Sequence, residues 1–179
     1  GWINPQSPKY EEFLQKMIDH VKDFLNKEVN SGYDTPTINI RIMKVLKLLL
    51  EDCDPDAEDD ENVQLDEAAL DKRKEEREQY SDKQLKFGDL GAISLVIDVI
   101  SDCDPKDQDT LCAALELGTQ LLNGGNENVQ NLIIEHFKKN LKDGHEFFLK
   151  IKEHLEGIGK TMKLQPLFIK EYEKGDSNN

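Results

Sequence analysis

Four acidic residues alternate along one stretch of the chain as the ligands of a calcium-binding loop do: Asp54, Asp56, Glu58 and Asp60. An EF-hand loop also needs a glycine at its sixth position and a glutamate at its twelfth, where both carboxylate oxygens bind the ion. Those two positions hold Asp59 and Leu65. We therefore predict that cations screen these carboxylates loosely and that the stretch contains no defined calcium site.

The run Gly-Ile-Gly-Lys-Thr at residues 157–161 ends like a phosphate-binding loop, in which backbone amides and a lysine hold the phosphates of a nucleotide. The first glycine of that motif would lie five positions before Gly159, where the chain has His154. No predicted strand precedes the run either. The two glycines predict a weakened helix, and no nucleotide site.

The remaining reactive side chains are scattered. The histidines are His20, His136, His145 and His154, and no pair has the four-residue spacing with a glutamate that zinc proteases use. The cysteines are Cys53, Cys103 and Cys112. They form no CxxC pair, and their odd number indicates a reducing compartment with thiols used as small apolar groups. We predict no catalytic, cofactor-binding or metal-binding residue, and no enzyme.

The negative charge of the chain limits the classes of partner that it could bind. The net charge is -14, and Glu51 to Glu78 alone holds fourteen acidic against four basic residues. Such a surface repels the phosphates of nucleic acids and of anionic membranes. No apolar run reaches the roughly 18 residues of a membrane span, and no secretory leader is visible. We expect a soluble segment cut from a larger intracellular protein, without nucleic acid or direct membrane contact.

Apolar residues at spacings of three and four predict helices throughout. Ser7 and Pro8 can start a first helix over residues 9–29, and Thr35 with Pro36 repeats that signal for a second. Asn123, Gly124 and Gly125 can end a later helix, because glycine adopts the left-handed conformation of a helix terminus. Asn126 can then cap the next helix.

The chain divides by composition into a helical pair at 1–53, an acidic disordered insert at 54–66, a charged helix or linker at 67–87, a helical-repeat block at 88–165 and a tail at 166–179. Asp-Cys-Asp-Pro occurs at 52–55 and again at 102–105. Helix pairs repeated every 40 to 50 residues or so are typical of armadillo and HEAT arrays. We predict an all-α, armadillo-like or HEAT-like stack of about seven helices with a flexible acidic insert.

The predicted core consists of apolar residues on the inner faces of these helices. They are Ile42, Leu46, Leu49, Val96, Val99, Leu115, Leu122, Ile133, Phe137 and Phe148.

Several of these segments resemble a known family. Residues 91–100 (GAISLVIDVI), Leu117-Gly118, residues 121–126 (LLNGGN), Val129-Gln130 and Phe147-Phe148 together resemble the cytosolic helical region of inositol trisphosphate and ryanodine receptors, over roughly residues 85–163. Residues 10–25 and 38–50 resemble the helix pair that precedes this region in the inositol trisphosphate receptors. The acidic stretch at 58–86 is more similar to the ryanodine receptors, and the likeness as a whole favours the former.

The resemblance implies a function and carries no site residue. It implies a regulatory and coupling segment of a tetrameric calcium-release channel, on the cytoplasmic face of the endoplasmic or sarcoplasmic reticulum. Its partners would be neighbouring helical domains of the same channel, within a homotetramer. A free-standing armadillo-like adaptor that binds peptides is the alternative, and it would need several regular repeats with a polar concave face.

Overall fold

A computed structural model describes residues 7–25, 35–52, 67–104, 106–142 and 144–157. Its elements are α1 (Pro8–Leu25), α2 (Thr35–Glu51), α3 (Glu67–Asp89), α4 (Ala92–Asp102), α5 (Gln108–Leu122), a 3-10 turn (Asn123–Gly125) and α6 (Glu127–Lys139). A last helix, α7, covers residues 144–157. These described residues contain no strand, which confirms the predicted all-α stack of about seven helices. The acidic insert at 54–66 and the tail at 166–179 lie outside the described residues.

Side-chain caps fix where three of the helices begin. The Ser7 hydroxyl accepts a hydrogen bond from the backbone N–H of Tyr10 at 3.3 Å, so the predicted start of α1 is confirmed. The side chain of Asn126 accepts from the first amides of α6, as predicted. At the start of α5 the Asp107 carboxylate accepts from the N–H of Thr110 at 3.1 Å. Each cap satisfies an amide that has no partner within its own helix.

The centre of the stack is α4. Seven of its eleven residues are buried, namely Ala92, Ile93, Leu95, Val96, Ile97, Val99 and Ile100. Helices α1, α3, α5 and α6 all pack against it. The sequence of α4 is apolar on most sides, as expected for a helix covered by several neighbours. Its many β-branched residues are compatible with this buried helix. The core predicted at Val96 and Val99 is confirmed.

The buried face of α2 differs from the predicted one. Met43, Leu46 and Leu50 are fully buried, while Ile38, Val45 and Leu48 are exposed. Ile42 and Leu49 are only partly buried, so of the three predicted core residues on this helix Leu46 alone is confirmed in full. Apolar residues occupy most positions of this helix, so their spacing does not select one face. Packing against α5 and α1 selects it instead.

The predicted core is also wrong at three positions further along the chain. Leu115 and Leu122 are exposed, because α5 turns Leu111, Ala113, Ala114, Leu117 and Leu121 inward instead. Phe148 is 62% exposed, although its ring centroid lies 5.5 Å from that of Phe137. Ile133 and Phe137 are partly buried against the core. A Cβ added at Gly118 would stand 3.2 Å from Cγ1 of Val96, so α5 packs closely on α4 along this face, and Leu115 and Leu122 lie on the other side of the helix.

The charged segment predicted as a helix or linker at 67–87 lies in α3, which has two different halves. Most residues of its first half are exposed, whereas Tyr80, Gln84 and Phe87 in its second half are buried. A Cβ added at Gly88 would stand 2.8 Å from Cδ1 of Leu132, so the absence of a side chain there lets α3 approach α6. The last turns of α3 are therefore part of the packed stack and not a linker.

The difference between the two sides of α2 can be tested with a matched pair of leucines. Leu46 is 0% exposed and Leu48 is 52% exposed. We expect Leu46→Ala to lower the free energy of unfolding by about 2 to 5 kcal/mol, since it opens a cavity in the core. Leu48→Ala, the control, should cost less than about 1 kcal/mol. Urea denaturation measures both, and equal losses would show that the buried face of α2 is misassigned.

Candidate functional site

The residues considered for metal chemistry are not brought together. His20 and His145 are exposed, His136 is partly buried and His154 is buried. Within the described ranges, no group of three or more histidine, cysteine or acidic side chains could hold a metal ion. The alternating acids from Asp54 to Asp60 and residues 158–161 of the phosphate-loop-like run lie outside those ranges.

The two described cysteines differ in environment. Cys103 is buried at the end of α4, and Cys112 is exposed on α5. Burial raises the pKa of the Cys103 thiol, and the nearby carboxylates of Asp107 and Asp104 raise it further. Its Sγ lies 3.3 Å from the backbone oxygen of Asp107, to which the thiol donates. A thiol held protonated in this way is a poor nucleophile.

A cluster of hydrogen-bonded polar side chains lies where α3 crosses the end of α5 and the start of α6. We call this cluster the polar junction, and it consists of the side chains of Tyr80, Gln84, Gln120 and Asn126 together with the backbone oxygens of Gln120 and Asn123. Buried polar side chains are uncommon, and those that occur are nearly always hydrogen-bonded. This junction is the best-defined polar arrangement in the described part of the chain.

Gln84 is the centre of the junction and is only 1% exposed. Its Nε2 donates to the backbone oxygens of Gln120 and Asn123, each at 2.9 Å. The Gln120 oxygen is in the last turn of α5, where helix carbonyls lack partners within the helix. Gln84, on a neighbouring helix, therefore supplies hydrogen-bond donors to the free carbonyls at the carboxyl end of α5.

Asn126 joins the start of α6 to Gln84 and to the backbone of α3. Its Oδ1 accepts from the N–H of Asn128 at 3.1 Å and of Val129 at 3.4 Å. Its Nδ2 donates to the backbone oxygen of Ser81 at 2.9 Å and to Oε1 of Gln84 at 3.1 Å. One carboxamide thus caps α6 and ties it to α3.

Tyr80 adds a further link one turn before Gln84. Its hydroxyl donates to the backbone oxygen of Gln120 at 3.1 Å and accepts from Nε2 of Gln120 at 2.8 Å. The end of α5 is therefore held at two successive turns of α3.

The turn between α5 and α6 depends on two glycines. Gly124 and Gly125 have φ values of 71° and 74°, as the sequence predicted for at least one of them. No atom lies within 4 Å of the place a Cβ would take at either residue. The requirement for glycine is therefore one of backbone conformation, not of crowding by neighbours. This turn returns the chain so that Asn126 meets Gln84.

The arrangement can hold three helix segments in one relative position. Carboxamides neither ionise nor act as nucleophiles at neutral pH, so the junction has no evident chemistry of its own. Sliding or rotating α3 against α5 and α6 would break several buried hydrogen bonds together, and each unpartnered group costs about 1 to 3 kcal/mol. The junction therefore resists movement of these three helix segments relative to one another.

Sequence reasoning found one side of this junction and missed the other. The glycine turn and the Asn126 cap were predicted, whereas Gln84 was not. The available signal was the spacing of Tyr80, Gln84 and Phe87, which puts them on one face of an otherwise charged helix.

Replacing Gln84 tests the energetic importance of the junction. Gln84→Leu keeps a good helix former but removes the buried hydrogen bonds to the Gln120 and Asn123 carbonyls and to the Asn126 amide, so unfolding should become easier by about 2 to 4 kcal/mol. The matched control is Gln79→Leu on the same helix, where the exposed side chain bonds only to Glu75 among the contacts described, at 3.3 Å. That change should move the stability by less than about 0.5 kcal/mol. Similar small effects in both variants would mean that the junction does not stabilise the fold.

Comparison with known proteins adds no relative. No family model matches this chain, and neither a curated protein nor a solved structure does.

Proposed function

We propose that this chain is a non-catalytic regulatory and coupling segment of an intracellular calcium-release channel similar to the inositol trisphosphate receptors. It would lie on the cytoplasmic side of the endoplasmic or sarcoplasmic reticulum membrane, in a homotetramer. Within the described ranges, no helix is long and apolar enough to cross a bilayer.

One observation carries the proposal. The residues on which the resemblance rests coincide with the parts that organise the stack. Residues 91–100 comprise most of the central helix α4, and residues 121–126 comprise the end of α5 and the turn of the polar junction. A sequence likeness confined to the surface would say little about mechanism. A likeness at these positions concerns the parts that fix how the helices are placed.

The proposed mechanism is transmission of movement through packed helices. A displacement applied to α3 would pass to the end of α5 and the start of α6 through Gln84 and Asn126. Packed interiors respond by switching between discrete arrangements, because they deform little. Ligand binding elsewhere in the channel could reach the pore by this route.

Exposed apolar residues support contacts with neighbouring helical domains. On α2 they are Ile38, Val45 and Leu48, and near the other end of the chain they are Leu141, Phe148 and Leu155. Large side chains left exposed in rows on helices commonly mark protein contact surfaces. In the proposed channel these surfaces would face adjacent domains of the same subunit.

The glycine turn provides the test. Gly124→Ala and Gly125→Ala should each lower the free energy of unfolding by about 1 kcal/mol or more, because a side chain disfavours their left-handed backbone. In the complete protein that contains this chain, the double variant should weaken calcium release at a given ligand occupancy. Affinity of the isolated ligand-binding region should stay unchanged. Release from loaded reticulum vesicles and ligand titration measure the two quantities.

Gly157→Ala is the matched control. This glycine lies in α7, no atom is within 4 Å of its Cβ position, and its φ is outside the left-handed range. The substitution should leave release unchanged and leave stability unchanged or slightly raised. A complete protein without pore-like spans would contradict the channel assignment, and an unaltered double variant would contradict the coupling role.

A further inference from the structure

Helix α2 carries a second row of apolar residues beside the face that it buries. We call this row the α2 ridge, and its members follow one another at spacings of three and four: Ile38, Ile42, Val45, Leu48 and Leu49. Ile38, Val45 and Leu48 are exposed, whereas Ile42 and Leu49 are partly buried against the core. The ridge therefore runs along the edge of the packed stack, with its outer side open to solvent.

The shape of the ridge suits a second helix. From residue 38 to residue 49 the ridge extends over about 16 Å, or about three turns, at 1.5 Å per residue. Rows of side chains at spacings of three and four pack into the grooves between the same rows of another helix. An extended strand presents a side chain to one face at every second residue and matches these rows poorly.

The charged residues of α2 set the charge that such a partner should carry. The basic residues of this helix are Arg41, Lys44 and Lys47, and its acidic residue is Glu51 at the end. Lys47 forms an ion pair with Glu51 at 3.2 Å. Arg41 and Lys44 are exposed, and neither forms an ion pair within the part of the chain that the structure describes.

Arg41 and Lys44 lie on the same side of α2 as the ridge. Arg41 comes three residues after Ile38 and four before Val45. Lys44 comes four residues before Leu48. Side chains at these spacings are neighbours on a helix surface. The chain as a whole has a net charge of -14, so this exposed basic face is an exception to its acidic surface, and it attracts an acidic partner.

We propose that the α2 ridge binds an acidic amphipathic helix of a neighbouring protein domain. The apolar face of that helix packs on Ile38, Val45 and Leu48, and its carboxylates lie beside Arg41 and Lys44. Recognition of an amphipathic helix through anchors at spacings of three and four is a common mode of peptide binding. The proposal rests on the contact role that the proposed function gives this surface, and it adds the chemistry of the partner.

An anionic membrane is the other acidic surface that a basic and apolar helix can contact. The ridge is less suited to it, because it has none of the aromatic residues that anchor interfacial helices. The acidic remainder of the chain also repels anionic lipid.

A designed peptide provides the test. The probe is a fluorescein-labelled helix of about 16 residues, with leucine at spacings of three and four and glutamate at the flanking positions. Fluorescence anisotropy measures its binding to the full chain. We expect saturable binding that weakens severalfold between about 50 and about 500 mM salt, since salt screens exposed charges. The same peptide with lysine in place of glutamate should bind more weakly by about tenfold or more.

Charge reversal locates the binding surface. Arg41→Glu together with Lys44→Glu should weaken binding of the acidic peptide by about tenfold or more, and should strengthen binding of the lysine peptide. The matched control is Lys138→Glu with Lys139→Glu, which changes the net charge equally at exposed positions of α6 and should alter neither affinity. Equal effects of the two double variants would show that net charge alone attracts the peptide, and would overturn the proposal.

Exposed leucines test the apolar part of the contact. Leu48→Ser should weaken binding of the acidic peptide by about tenfold, because it removes an anchor. Leu70→Ser on α3, where the leucine is similarly exposed, should leave binding unchanged. An equal loss in both variants contradicts the site. Circular dichroism shows whether each variant is folded. If Leu48→Ser does not fold, the change of peptide preference in the charge-reversed chain decides.

Two results would assign the ridge to another occupant. A dimer of the chain that Leu48→Ser disperses, measured by sedimentation, assigns it to a second copy. Binding to vesicles rich in phosphatidylserine that the Arg41→Glu and Lys44→Glu variant lacks assigns it to a membrane. Either result, or no saturable binding of the acidic peptide, overturns the proposal. None of them affects the release measured with the glycine-turn variants, so the coupling role is tested separately.

Discussion

Two buried carboxamides, those of Gln84 and Asn126, must satisfy each other and four separate backbone segments at once. Gln84 donates to two carbonyls at the end of α5, and Asn126 both caps α6 and donates to α3. Because an unpartnered buried amide costs more than a made hydrogen bond contributes, these bonds form together or not at all. The end of α5, the glycine turn, the start of α6 and the position of α3 are therefore set by one network.

The rest of the stack connects to this network through α3 and α4. The Lys83 ammonium donates to the backbone oxygen of Leu49 at 2.6 Å, and Lys86 forms an ion pair with Glu11, so α3 also contacts α2 and α1. Buried residues of α1, α2, α4 and α5 belong to one continuous core. The helices before the acidic insert and those after it are thus a single packed unit, in which a movement of α3 affects both parts.

Sequence reasoning succeeded where a backbone conformation admits only a few residue types, and it failed where packing chooses among several equivalent apolar residues. Gly124, Gly125 and Asn126 were predictable, because left-handed backbone and helix capping each select few residue types. The face of α2 was not, because apolar residues occur nearly all round that helix. Gln84 looks like an ordinary surface residue in the sequence, and only its burial in the folded chain reveals its role in the polar junction. The coupling function rests on the resemblance and on the junction, and stays a proposal.

The central claim is that Gln84 and Asn126 act as one unit, and a double-mutant cycle measures this most directly. Gln84→Leu removes one carboxamide, and Asn126→Ser removes the other while keeping a hydroxyl that can cap α6. Urea unfolding of the two single variants and the double variant gives their interaction energy. We predict a coupling of about 1 to 3 kcal/mol, with the double variant less destabilised than the sum of the single variants. Additive losses, within about 0.3 kcal/mol, would contradict the account.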